Sequence, residues 1–277
     1  MPGHRPVFDC RCLAAAIALT GLGSRAFAEG PQDRYWAELE YFFPTISSTA
    51  RLDFPTTNIP GTQVKLEDDL GLADRKGTPY LLLGMRMGER WRLELEYYQL
   101  NRSSTLTIGR DIQWADVTFP VSATVSSTFD TSIYRLVGGY SFYRTPRAEV
   151  GAAIGLHITD FKVSLSGQGN GPAGLGFQSE KRDQLVPLPT VGLYGSYLLS
   201  EQWVLRGRVD YLSLHYQSYD GSLTNWLLAL DWRFARNWST GLGYRFVDYK
   251  LESTKPRFHG QINYRFKGPT LFVAATF

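Results

Sequence analysis

From Arg34 onward apolar and polar positions alternate with period 2, segment after segment, and no stretch of helical period competes. Between residues 203 and 212, Trp203, Leu205, Gly207, Val209 and Tyr211 share one face; Val204, Arg206, Arg208, Asp210 and Leu212 share the other. The first face carries no charge and the second carries three. The same division runs through residues 91–98, 149–158, 226–234 and 238–247. Alternation alone leaves the wet face undecided, since soluble sandwiches alternate too. Three features favour a membrane barrel. Runs such as 126–143 and 149–165 exceed the ~5–6 residues usual in globular sheets and suit tilted strands that cross a bilayer and project beyond it. Trp91, Trp203 and Trp238 each open a strand straight after a short polar turn, which puts three indoles at one level as an aromatic girdle. Taken singly, each of these tryptophans would serve a core equally well. The charged face is also rich in glycine, which suits a crowded lumen.

Loop lengths give the topology. Short turns near 88–90, 144–147, 200–202 and 236–237 alternate with long or polar connections near 54–78, 108–121, 166–183, 218–222 and 252–256. The fold class predicted is all-β: a transmembrane antiparallel up-and-down β-barrel of about ten strands, with both termini on the periplasmic side and eight or twelve strands as alternatives. Residues 45–54 extend the first strand or belong to the loop after it. Near the end, Phe258, Ile262, Tyr264 and Phe266 lie on one parity and Leu271, Val273, Ala275 and Phe277 on the other. Lys267-Gly268-Pro269 reads as a bulge within one long last strand; as a true turn it would raise the count to twelve.

Residues 1–28 read as a secretory signal: basic Arg5 and Arg11, an apolar stretch from Leu13 to Leu22, and an Ala26-Phe27-Ala28 exit. The barrel domain is then 29–277. Both cysteines, Cys10 and Cys12, leave with the signal, so the mature chain has no disulfide and no Cys-based metal site.

Composition narrows the class further. The chain of 277 residues has a mean hydropathy of -0.21, 43% hydrophobic and 14% aromatic residues, and a net charge of +3. No apolar run beyond the N-terminus reaches the ~18 residues of a spanning helix. The aromatic content excludes disorder, and the charge balance is no footprint for nucleic acid.

The last residues, Leu271-Phe272-Val273-Ala274-Ala275-Thr276-Phe277, place apolar side chains at alternate positions before a terminal phenylalanine. This resembles the C-terminal recognition signal of bacterial outer-membrane β-barrels, which implies insertion by the barrel-assembly machinery, with Leu271, Val273, Ala275 and Phe277 as the assembly signal. The whole mature chain resembles small outer-membrane barrels of the outer membrane protein A and W type. Residues 64–72 and 264–269 are similar to segments in barrels of this size. The resemblance implies a fold, an outer-membrane location and contact with outer-membrane lipid and lipopolysaccharide; it carries over no functional residue and no oligomeric state.

The chemistry expected of the lumen is electrostatic. Its predicted lining is Glu38, Glu40, Arg92, Glu94, Glu96, Arg135, Glu149, Arg206, Arg208, Asp210, Asp231, Arg233, Arg245 and Arg265, with acids on early strands and arginines on later ones. Buried charges must pair or be hydrated. A salt-bridged filling therefore makes the protein a structural or surface-interaction barrel, and a hydrated one makes it a narrow passive channel. A lipid-modifying or proteolytic barrel enzyme is the third reading. Its nearest sign is His157 beside Thr159, with His215 and His259 the other histidines of the mature chain; Glu149, eight residues before His157 and ~27 Å away along a strand, cannot orient it. No catalytic set, cofactor or metal is assigned. Glu67-Asp68-Asp69 and Asp74 read as a solvated acidic loop, with a cation site bridging lipopolysaccharide as the lesser alternative. The glycines of residues 166–174, without the Lys-Ser/Thr of a phosphate loop, read as an outside loop.

Overall fold

A computed structural model describes residues 34–53, 61–171, 174–216, 219–255 and 258–277. The expected signal segment and both cysteines lie outside the described residues. The described residues form β1 (Tyr35–Phe42), β2 (Thr45–Leu52), β3 (Val64–Lys65), β4 (Thr78–Met87) and β5 (Trp91–Thr107). A small hairpin, β6 (Ile112–Trp114) and β7 (Val117–Phe119), follows. Then come β8 (Thr124–Arg144), β9 (Ala148–Gly171), β10 (Gly174–Leu198), β11 (Trp203–Tyr216), β12 (Tyr219–Ala235), β13 (Trp238–Lys255) and β14 (Phe258–Thr276).

The wall runs β1-β4-β5-β8-β9-β10-β11-β12-β13-β14, every pair antiparallel, and closes where β14 pairs back on β1. β2 also pairs with β14. It continues β1 past Phe43-Pro44, where proline cannot donate to the ladder, so the two together are one bent wall strand and the barrel has ten. Residues 45–52 thus extend the first strand. One row of outward side chains, Leu39, Leu83, Leu95, Leu136, Ile154, Leu193, Val209, Leu228, Leu242 and Val273, takes one exposed apolar residue from each wall strand. Burying such a belt requires lipid. Ring pairs border it at the end with short turns, Trp91–Tyr140 at 4.9 Å and Trp203–Trp232 at 6.4 Å, and at the other end, Tyr97–Tyr134 at 4.8 Å and Trp226–Tyr244 at 5.8 Å. Trp91, Trp203 and Trp238 are all exposed at the short-turn end, and Leu271, Val273 and Phe277 are exposed on the same outer surface.

Three expectations are corrected. First, β14 has no bulge: its register against β13 is continuous from Phe258 to Ala275, so Ile262, Tyr264, Phe266, Gly268, Thr270 and Phe272 all point inward. Gly268 keeps the strand straight, because a Cβ there would sit 2.1 Å from the Phe43 carbonyl oxygen. Arg265 therefore points out of the barrel, leaving the lumen set. Second, the glycines of 166–174 belong to strands, with β9 and β10 paired up to Gly171–Gly174. Gly167 and Gly169 face inward where a Cβ would meet the carbonyl oxygens of Thr124 and Thr118, so they serve close packing of β9 on its neighbours. The connections expected near 218–222 and 252–256 are likewise mostly strand. Third, the connections at 54–78 and 108–121 are not simply polar, since 61–77 and 108–123 fold back over the barrel mouth.

The β10–β11 ladder stops at Val191–Tyr211, while β10 continues beside β9 through Pro187 and Pro189. Proline has no N–H for a second neighbour. The β8-β9-β10 part of the wall consequently projects beyond the β11-β12 hairpin.

Candidate functional site

The lumen is filled in two layers. Toward the short-turn end, Glu38, Glu40, Glu94, Glu96, Arg135, Glu149, Asp210 and Arg245 are buried, with Arg92, Arg206, Arg208, Asp231 and Arg233 partly so. Glu96 on β5 accepts hydrogen bonds from Arg135 on β8, Arg208 on β11 and the Tyr80 hydroxyl on β4. Arg135 Nη2 also donates to Asp210 at 2.9 Å, and Asp210 takes a 3.1 Å bond from Asn225. Arg206 bridges Asp231 at 2.9 Å and Glu38 at 2.5 Å. Arg245 forks onto Glu40 at 3.2 and 2.9 Å and lies 4.2 Å from the Tyr80 ring centre. Arg92 pairs with Glu94 between the rings of Trp36 and Tyr194.

Strand order shows what these bonds do. β5 and β11, joined by Arg208–Glu96, stand four places apart round a ring of ten, as do β11 and β1, joined by Arg206–Glu38. The pairs therefore cross the lumen and do not merely decorate its wall. Apart from Arg233, whose side chain has no ion-pair partner among the described residues, acid and base each find partners in charge-assisted, partly bidentate geometry, the arrangement that offsets desolvation.

Pattern reading missed Arg86, Tyr80, Ser141 and Asn225. Arg86 forks onto Glu149 with both contacts at 2.9 Å, and Ser141 donates to the same carboxylate. The run 80–85 is apolar on both faces, which hides its alternation; Arg86 at the end of it was the available signal.

The outer half of the lumen is apolar. Tyr80 stacks on Tyr98 at 4.9 Å, and Phe129, Phe161, Tyr249, Tyr264 and Phe266 form one cluster with ring distances of 5.0–6.2 Å. Onto it fold Val64, Leu66, Leu70 and Leu72 from one segment and Ile112, Trp114, Val117 and Phe119 from the other, all buried. The first segment is tied down by Glu67. Its carboxylate accepts from Ser48 N at 2.8 Å, Ser48 Oγ at 2.5 Å and Arg102 Nη1 at 2.5 Å. Arg102 is itself fully buried beside the Phe129 and Tyr264 rings. Asp69 is held by Lys65 N and Arg110. Of the acids read as a solvated loop, Asp68 alone among 67–69 is largely exposed. Glu67 and Asp69 are spent on clamping the cap, while Asp74 is exposed as expected.

His157 is buried on β9 beside Arg135, and its Nδ1 has no hydrogen-bond partner among the described residues. Thr159 Oγ1 instead meets the Tyr249 hydroxyl at 3.4 Å. His259 Nε2 lies 3.9 Å from Asp53 at the rim. The His215 side chain lies outside what is described.

An antiparallel ten-strand barrel with an apolar belt, ringed by aromatics and holding a buried ionic lumen, defines the class of outer-membrane β-barrels. The family model for the outer membrane protein beta-barrel domain matches residues 14–246, and the chain belongs to this family, whose place is the bacterial outer membrane. Among solved structures it is similar to the outer membrane protease OmpT of Escherichia coli, with a TM-score of 0.60 at 12% identity over 88% of this chain and 97% of that one. The toluene transporter TodX of Pseudomonas putida gives 0.39 at 9% identity over 90% and 91%, and the attachment invasion locus protein Ail of Yersinia pestis 0.34 at 11% over 86% and 99%. At these identities only the fold is shared. A search of curated proteins returns no match.

Proposed function

We propose that the chain is a closed outer-membrane scaffold, exported by its N-terminal signal and inserted through the terminal Leu271-to-Phe277 pattern, that presents the projecting β8-β9-β10 sheet to the outside. One observation carries this reading: the two segments over the mouth place Leu66, Leu70, Trp114 and Phe119 in the same apolar core as Phe129, Tyr264 and Phe266. Water does not thread a packed apolar layer, and in the ionic layer beneath it the charges other than Arg233 are bonded to opposite charges. The reading assigns no catalysis, since His157 lies beneath that seal. Its partners are outer-membrane lipid outside and the assembly machinery during insertion, with no nucleic acid.

The test is planar-bilayer conductance of the refolded chain. Silence from wild type, with steps appearing in Glu67→Ala once its clamp is lost, is the expected result. Discrete steps from properly folded wild type would replace the scaffold with a narrow channel.

A further inference from the structure

Just above the apolar belt, the outside of β13, β14 and β2 forms a recess of about 360 Å³ whose wall includes Ser47, Thr49, Asp248, Lys250, Asn263 and Arg265. Register orders this surface by height. Tyr244 and Pro269 end the belt, followed by the row Phe246–Lys267–Thr45, then Asp248–Arg265–Ser47, then Lys250–Asn263–Thr49. Cations thus occupy each of the first three rows beyond the lipid, against one carboxylate. Arg265 bonds Asp248 at 2.8 Å through Nη2, which leaves other guanidinium donors over. Lys250 and Lys267 are exposed and have no carboxylate within ion-pair distance among the described residues. The Thr49 hydroxyl accepts from Asn263 at 3.2 Å, so its own hydrogen can be donated elsewhere. One row further out, Arg51 is engaged by Asp53 at 3.0 Å and Glu252 stands beside Gln261.

The same height on β8-β9-β10 is different. There Lys162 bonds Asp160 at 2.8 Å with Asp130 and Asp183 beside it in register, and Lys181 stands 3.8 Å from Asp183, so carboxylates outnumber the lysines and each lysine is paired. The two sides of one rim are therefore unequal: one is acidic with its lysines paired, and the other is a concave, donor-lined, cationic surface resting on apolar wall.

We propose that this recess holds the phosphorylated headgroup of an outer-leaflet lipid. Lys250, Arg265 and Lys267 contact the phosphate oxygens, Ser47 and Thr49 donate to them, and the acyl chains lie down the wall over Phe43, Pro269 and Leu271. Position selects a lipid over a free anion, because the cations begin one row above a surface that only acyl chains can cover. The inference does not depend on whether the lumen conducts.

Native mass spectrometry of the refolded chain in detergent tests it, with lipid A bearing its phosphates, the same lipid A stripped of them, and inorganic phosphate as probes. Expected is retention of about one phosphorylated lipid per barrel, roughly tenfold or more weaker in K250Q/R265Q/K267Q and unchanged in the control K162Q/K181Q. Equal retention of the dephosphorylated lipid, no loss in the triple variant, or an equal loss in the control would overturn the proposal. Displacement by millimolar inorganic phosphate would reassign the recess to free phosphate and also overturn it. Should the triple variant not insert, Lys250→Gln alone must still lower retention severalfold.

Discussion

The two halves of the lumen do the same job with opposite materials. Below, wall-to-wall contacts are Arg–carboxylate bonds such as Arg208–Glu96 and Arg206–Glu38; above, they are ring and methyl contacts around Tyr264 and Phe266. The ionic half is directional: each charge specifies its partner, and removing one leaves a buried opposite charge uncompensated. The apolar half is graded, and removing a group costs its transfer free energy plus that of the void left behind. Closure of the pore is assigned to the upper half, since it is there that the two cap segments enter. Register of the wall is assigned to the lower half.

The largest effect should come from Glu96→Ala, which leaves Arg135 and Arg208 facing each other's charge with their shared acceptor gone. A loss of about 3–5 kcal/mol is expected from breaking a buried ionic group on one side only, read as a lower urea midpoint of the folded band on unheated gels. A loss below ~1 kcal/mol would mean that water already solvates the network. Phe266→Ala should cost about 3 kcal/mol by cavity formation, and unlike Glu96→Ala it should also loosen the cap, seen as faster hydrogen exchange in 61–77. An equal exchange response in both variants would erase the division into layers.

Much of this was legible in the alternating residues and some of it was not. Strands such as residues 203–212 carry charge on one face and none on the other, so their orientation follows from parity alone. β14 misleads because Ile262, Tyr264 and Phe266 are apolar yet face inward: the lumen above the ionic layer is itself an apolar core, so hydrophobicity there no longer marks the lipid side. Arg265 was placed inside for the same reason. The cap was hidden in plain alternation at Val64, Leu66 and Ile112, Trp114, short runs that belong to no wall strand. Cross-lumen pairing could not be read at all, because it depends on which strands stand opposite in the closed ring. Arg86 and Glu149, 63 positions apart, show the distance involved.

A smaller effect distinguishes specificity from strength. Replacing both partners at once in Glu40→Leu/Arg245→Met exchanges a bidentate buried pair for apolar volume. Stability should stay within about 1 kcal/mol of wild type or rise, since pairing chiefly repays desolvation. Either single replacement should cost several-fold more, so a double variant as unstable as the singles would show that the pair contributes net stability of its own.

The smallest effect lies in the cap and is pH-dependent. Burial works against ionisation of Asp69, but hydrogen bonds from Arg110 and from the Lys65 backbone, with their positive charges, hold its carboxyl below the usual carboxylate range. A depressed folded value means that the clamp's contribution is fully present above the ordinary carboxylate pKa, about 4, and fades as pH falls below it. Acid-protease cleavage within 61–77 should therefore rise between roughly pH 4 and pH 2 in wild type. In Asp69→Asn the cleavage should be higher at pH 4 and nearly level below it, because the amide has no charge to lose. Matching curves for the two proteins would show that Glu67, with Ser48 and Arg102, holds this segment without help from Asp69.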